Sequence, residues 1–325
     1  KDQMTFFGGK SQQMGKNTRV KARVKAHALR EFMISNDKVI VMGHKISDVD
    51  SIGAGIGIYR AAKSLNKRAH IVVNNPTMSV RPIIESFRQN ADYDEHMFIN
   101  SEAAKEIVDN NTVVVVVDTN KPSYTECEEL LHKTKTIVVL DHHRQGSEVI
   151  KNAVLSYIEP YASSTCEMVA EILQYFSDDI RIYNIEADAL YSGIMIDTNN
   201  FTAKTGVRTF EAAAFLRRCG ADVTRVRKMF RDDVKSYKAK AEAIRSVETY
   251  KGSFAISVCP SEGIDSPTVV ASQAANELLN VDSIRASFVL TDYQNKIYIS
   301  ARAIDEVNVQ IIMERLGGGG HINMA

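Results

Sequence analysis

Four apolar segments of this chain each run into an aspartate, and that arrangement restricts the fold more than any other feature. Residues 38–42 lead into Gly43-His44-Lys45-Ile46-Ser47-Asp48-Val49-Asp50, and five consecutive valines lead into Asp118-Thr119-Asn120. Residues 136–140 lead into Asp141-His142-His143, and a fourth segment ends in Ile196-Asp197-Thr198-Asn199. Near-continuous Val/Ile runs mark strands buried on both faces. Open parallel sheets place their chemistry just beyond the carboxyl ends of such strands.

Strands and helices alternate from residue 38 onward. Strands are expected at 38–42, 69–73, 112–117 and 136–140, with helices at 51–65, 81–90, 123–133 and 164–176. This alternation predicts an α/β fold with a doubly wound, mostly parallel sheet. Ser164-Thr165-Cys166-Glu167 reads as a capping box and takes a structural role. Residues 185–196 favour helix over buried strand, followed by a helix at 209–218 and one long charged helix over 223–250 that links two domains. After Gly252 the pattern changes to strand 253–259, helix 268–280, a hairpin of strands 284–291 and 296–301, and helix 307–316. That is a smaller α+β domain. The expected organisation is therefore a catalytic domain at 14–222, the linker at 223–250 and a substrate-binding domain at 251–325. Residues 1–13, with a short strand at 4–7 and a Gly8-Gly9 turn, read as the tail of a preceding domain, and the chain as a piece of something larger.

A length of 325 residues accommodates about two domains. The formal net charge is zero, so no global field attracts a long nucleic acid. Residues 16–30 carry six Lys or Arg and no acid, which reads as a solvated helix face. The four cysteines lie far apart with no C-x-x-C pair, which argues against a thiolate zinc site or a disulfide framework. Carboxylates mixed with imidazoles suit a hard-to-borderline divalent cation instead. Crowding that many carboxylates into one cleft raises their pKa values by mutual repulsion, and a pair of divalent cations removes the penalty. Ions held roughly 3.5–4 Å apart clamp the attacking and leaving oxygens of a phosphoryl displacement. The expected chemistry is that of a metallo-phosphoesterase. Gly53, Gly55 and Gly57 lack the dinucleotide-binding spacing and are assigned to close helix–sheet packing. Gly317, Gly318, Gly319 and Gly320 can present successive amides to a phosphate.

Taken together, Gly43-His44-(x)3-Asp48-x-Asp50, Asp118-Thr119-Asn120, Asp141-His142-His143 and Ile196-Asp197-Thr198 resemble the four motifs of the DHH phosphoesterases. The glycine run with His321 resembles the signature of the DHH-associated domain in the RecJ-like branch. The opening Phe6-Phe7-Gly8-Gly9-Lys10-Ser11 narrows the resemblance to the GdpP-type cyclic-di-AMP phosphodiesterases, in which transmembrane, PAS and degenerate GGDEF regions come first. The resemblance thus implies the cytoplasmic part of a membrane-anchored bacterial protein. One departure is Ser47, where the family often has proline.

The resemblance also implies roles. His44, Asp48 and Asp118 would hold one Mn(II), and Asp50, Asp118, His142 and Asp197 the other, with Asp118 bridging; Co(II) or Mg(II) could substitute. Asp141 would orient His142. His143 would contact the scissile phosphate or the bridging hydroxide, its alternative being a buried, hydrogen-bonded histidine. Arg302, Gly318, Gly319, Gly320 and His321 would grip the non-scissile phosphate. The partner is then a cyclic dinucleotide held between the two domains, opened from cyclic di-AMP to pApA by the bridging hydroxide. Homodimerisation is expected from the same resemblance. Two rivals stand beside this reading: an exonuclease or oligoribonuclease acting on short strands, and a catalytically silent nucleotide sensor. Arg208 and Thr209 could reach substrate, but Thr209 reads better as a helix cap.

Overall fold

The computed structural model describes residues 14–304 and 307–320; the expected strand at 4–7 and His321 lie outside them. The chain divides into two compact units, Lys1–Phe230 and Arg231–Ala325.

In the first unit, α1 (Met14–Ile34) precedes β1 (Lys38–Met42), α2 (Val49–Ser64), β2 (Arg68–Val72), α3 (Arg81–Arg88), β3 (Phe98–Ile99), α4 (Ser101–Ile107), β4 (Thr112–Val117) and β5 (Thr136–Asp141). Then come β6 (Leu155–Ile158), α5 (Thr165–Phe176), α6 (Asn184–Asp197), α7 (Val207–Arg218) and α8 (Val223–Met229). The six strands form one parallel sheet in the order β3-β2-β1-β4-β5-β6. Successive side chains of a strand face opposite sides, so the valines of β4 serve two cores. Val113, Val115 and Val117 pack with α2, α5 and α6, whereas Val114 and Val116 meet Ala104, Leu130 and Leu131. The chain runs outward from β1 through β2 to β3, then returns to place β4 on the other side of β1. Such a switch point opens a crevice beyond the carboxyl ends of its strands. The loops carrying His44 and Asp118 leave from there.

The expected helix at 123–133 is instead two 3₁₀ turns, Pro122–Tyr124 and Glu128–His132. Thr125 between them donates its hydroxyl to Pro122 O (2.7 Å) and forms an isolated β-bridge with His44. That bridge needs extended backbone and breaks any helix through it. The short elements β3, α4 and β6 carry too few residues for a periodic signal. The glycines of α2 also depart from expectation. A Cβ on Gly53 would lie 2.6 Å from Ala189 O, and one on Gly57 would lie 2.5 Å from Val169 Cγ1; only Gly55 faces the sheet. Their purpose is mainly helix–helix packing of α2 on α5 and α6. Gly53→Ala, whose worst contact is backbone, should destabilise the fold by about 1–3 kcal/mol. A urea midpoint unchanged from wild type would contradict this.

The second unit contains α9 (Val234–Arg245), β7 (Glu248–Tyr250), β8 (Phe254–Val258), α10 (Pro267–Leu278), β9 (Ala286–Tyr293), β10 (Lys296–Ala303) and α11 (Val309–Arg315). Its sheet order is β10-β9-β8-β7, with only β8 and β9 parallel. The single helix expected over 223–250 is therefore α8, α9 and β7. Asp233 accepts from the amides of Lys235 (2.8 Å) and Ser236 (3.0 Å), capping α9 where a continuous helix would have run. Val226 joins the first unit's core, Ala239 and Ala243 the second's. Both Gln294 and Asn295 have positive φ, giving a two-residue hairpin. No helix among the described residues is long and apolar enough to cross a membrane.

Candidate metal centre

Three loops at the switch point and the end of α6 bring the acids together. His44 follows β1 and stacks on Tyr124, with ring centroids 5.8 Å apart. Asp48 rather than Asp50 caps α2: its Oδ1 accepts from Ser51 N (2.9 Å), while its Oδ2 lies 3.4 Å from His44 Nε2. Asp118 leaves β4 with φ +61°, a left-handed conformation that aspartate tolerates better than most residues. Its amide still bonds Leu140 O (2.9 Å), so the turn begins at the carboxyl end of β4. The two oxygens of Asp118 then face two imidazoles. Oδ2 lies 3.3 Å from His44 Nε2, and Oδ1 lies 3.4 Å from His142 Nε2. His142 Nε2 is also 3.5 Å from Asp197 Oδ2 and 3.8 Å from Asp50 Oδ2.

Donor atoms of His44, Asp48 and Asp118 lie within 4.8 Å of one another, as do those of Asp50, His142 and Asp197, and those of Asp118, His142 and His143. Each group could hold a metal ion. The electrostatics fit a cation. Burial opposes charge on His44, yet Asp118 and Asp48 raise its pKa to about 11. Burial likewise opposes His142, which Asp118, Asp50 and Asp197 raise to about 10. Burial first, and then the charge of Asp118, raises Asp50 to about 7. Burial and the neighbouring carboxylates push Asp197 up as well, whereas His142 and His44 overcome burial to hold Asp118 well below the usual carboxylate range. Asp118 Oδ2, which faces His44 Nε2 at 3.3 Å, is buried without a hydrogen bond. Lone pairs of a carboxylate and a neutral imidazole repel unless a proton or a metal ion lies between them. The raised pKa values of His44 and His142 put protons into these contacts, where a cation could serve the same purpose.

Two expectations need correction. Asp141 does not orient His142. Its Oδ1 accepts from both the ring Nδ1 (2.8 Å) and the amide (3.0 Å) of His143, and Oδ2 accepts from Asn120 Nδ2 (2.5 Å). The two imidazoles lie side by side, ring centroids 4.4 Å apart, and the wholly buried Asp141 bonds the second. The glycine run is also partly spent on ending α11. Gly317, with φ +83°, donates to Glu314 O (3.1 Å), and Gly318 donates to Met313 O (2.9 Å). Those two bonds form a Schellman cap, so the Gly318 amide is not available to a phosphate. Gly319 sits in open space. Arg302 bonds Asn276 Oδ1 (3.1 Å) and Ser272 on α10, and burial lowers its pKa.

Arg208 makes a two-pronged pair with Glu171 (2.8 and 2.7 Å), while Thr209 accepts from Gly206 N (3.1 Å) and donates to Glu167 (2.7 Å). Both hold α7 against α5. In the Ser164 capping box, Ser164 Oγ does accept from Glu167 N (3.0 Å), but Glu167 reaches back to Ser163. Sequence reasoning passed over Asn120 and Thr165 as site residues, although both lie inside motifs it quoted.

Residues 38–194 match the DHH family, N-terminal domain, and residues 251–325 match the DHHA1 domain. The chain belongs to the DHH family. It is 45% identical over 326 residues to the cyclic-di-AMP phosphodiesterase GdpP of Bacillus subtilis (98% of this chain, 49% of that protein). It is 41% identical over 323 residues to the cyclic-di-AMP phosphodiesterase PdeA of Listeria monocytogenes, with the same coverage of 98% and 49%. The chain thus spans about half the length of these relatives. An exopolyphosphatase-related protein from Bacteroides fragilis has a similar fold, with a TM-score of 0.78 at 19% identity, covering 93% of this chain and 90% of that one.

Proposed function

We propose that this DHH protein hydrolyses cyclic di-AMP to linear pApA with two divalent cations, of which Mn(II) best suits a shell of carboxylates and imidazoles. The observation that carries the proposal is the shared position of Asp118, whose two oxygens face His44 on one side and His142 on the other. His44, Asp48 and Asp118 would hold one ion, and Asp50, Asp118, His142 and Asp197 the second. When bound, such a pair activates water and neutralises charge developing on the phosphate oxygens. The substrate class is supported by the names of the two relatives that match nearly the whole chain.

The chain's own groups would share the remaining work. Asp141 accepts the proton on His143 Nδ1, which would leave the half-exposed ring's Nε2 to face a phosphate. In the second unit, Gly319, Gly320 and Arg302 would bind the other phosphate, joined by His321. A homodimer remains part of this reading, as does the absence of long nucleic acid among the partners. The test supplies purified protein and Mn(II) with cyclic di-AMP, cyclic di-GMP, pApA and pyrophosphate in separate reactions, and separates the products by chromatography. Conversion of cyclic di-AMP to pApA, faster than pApA itself is consumed, is the expected result. Preferential hydrolysis of pApA would favour the short-oligonucleotide reading.

A further inference from the structure

Thr165 touches two of the carboxylates that the two-cation reading assigns to different positions. It opens α5 and is wholly buried. Its hydroxyl donates to Asp118 Oδ1 (2.9 Å), and its amide donates to Asp50 Oδ2 (2.6 Å). The next amide, that of Cys166, donates to Asp50 Oδ1 (2.8 Å). Both oxygens of Asp50 are thereby committed to the first turn of α5, where amides have no partner within the helix. No slack remains behind them, since a Cβ on Gly193 would lie 3.1 Å from Asp50 Cα and 2.3 Å from Cys166 Sγ.

The hydroxyl of Thr165 is not needed to cap α5. Ser164 already does that through Glu167 N, so a helix-forming role leaves the Thr165 side chain unexplained. The hydroxyl is aimed at Asp118 instead. Asp118 in turn has only one oxygen bound this way, leaving Oδ2 toward His44.

We propose that Thr165 is a positioning residue: its hydroxyl holds Asp118 in the orientation that divides its two oxygens between His44 and His142, while its amide locks Asp50 beside it. This rests on the two-cation reading above. The carboxylate would otherwise rotate about its Cβ–Cγ bond and serve one position at the expense of the other.

The test is a Mn(II) titration of the full chain, by calorimetry and by electron paramagnetic resonance, for wild type, Thr165→Val and Thr165→Ser. Valine keeps the shape and removes the donor. It should weaken at least one of two Mn(II) sites by roughly 10–100-fold, the usual range for partners that orient a metal ligand. Serine, which keeps the hydroxyl, should restore the affinity, and the valine enzyme should lose kcat with KM unchanged. Should valine fail to fold, Thr165→Ala supplies the donor-free comparison. A wild type that binds two ions and a valine variant that binds them equally well would overturn this inference alone. Equal loss in serine and valine would also overturn it, by showing that the methyl packing matters and the hydroxyl does not. A wild type that binds no Mn(II) would remove both this inference and the metal reading beneath it.

Discussion

Asp118→Asn is expected to lower kcat for the cyclic dinucleotide by roughly 10³-fold or more. Partners that merely orient a metal ligand cost about 10–100-fold when removed, and loss of a carboxylate shared by two positions compounds two such losses. Asparagine is the informative replacement for three reasons. It matches aspartate in shape, tolerates the left-handed backbone at φ +61°, and can still accept from the Thr165 hydroxyl at 2.9 Å. What it removes is the charge between His44 and His142. Circular dichroism should show an intact fold, while the Mn(II) titration should show both positions weakened. A variant that keeps its kcat within about tenfold of wild type would remove Asp118 from the chemistry, because that loss is no larger than an outer partner's.

Metal affinity should climb steeply with pH, because the bound ion must replace protons. In the metal-free protein the pKa values of His44 and His142 are raised, to about 11 and about 10, and that of Asp50 to about 7. A raised pKa means that the protonated form predominates below it, and a protonated imidazole cannot ligate. Each proton displaced contributes about one unit of log K per pH unit. Counted over both ions together, the two imidazoliums give a slope of at least about 2 near pH 8, and it steepens below pH 7 as Asp50 also gains its proton; the raised Asp197 can only add to it. The metal-free fold responds in the opposite sense. The contribution of the His–Asp pairs to its stability is fully present below the unfolded histidine pKa near 6.5 and is lost as pH rises through about 10–11. Calorimetry in buffers of different ionisation enthalpy, from pH 6 to 9, measures the protons released. A log K independent of pH would show that His44 and His142 are not ligands.

The strands of the first unit were legible because burial on both faces leaves only one kind of residue possible, as the five valines ending at Val117 show. Their carboxyl ends were legible for the same reason: an apolar run interrupted by aspartate marks where the sheet meets the crevice. The segment at 123–133 was not legible, since the event that breaks it is a bridge between Thr125 and His44, some eighty positions upstream. The long helix at 223–250 failed differently. Its composition suits helix throughout, and the competition of the Asp233 carboxylate for nearby amides separates α8 from α9. Within the candidate centre, residue types disclosed which groups assemble but not which pairs touch. Adjacent Asp141, His142 and His143 give no sign of which histidine the aspartate binds. Thr165 stayed hidden because Ser164-Thr165-Cys166-Glu167 has a sufficient explanation as a helix cap, and its other contacts are to Asp118 and Asp50, carboxylates 47 and 115 residues earlier.

Asp197 closes the set of acids from the far end of α6, after the last strand of the six-stranded sheet has already been laid down. During synthesis the chain must therefore expose His44, Asp48, Asp50, Asp118 and His142 to the cell while their final companion is still inside the ribosome. On the two-cation reading, an ion held at that stage by Asp50 and His142 would lack the Asp197 carboxylate and exchange more freely. On that reading, discrimination among cations at this second position would begin only once residue 197 has emerged and α6 has docked.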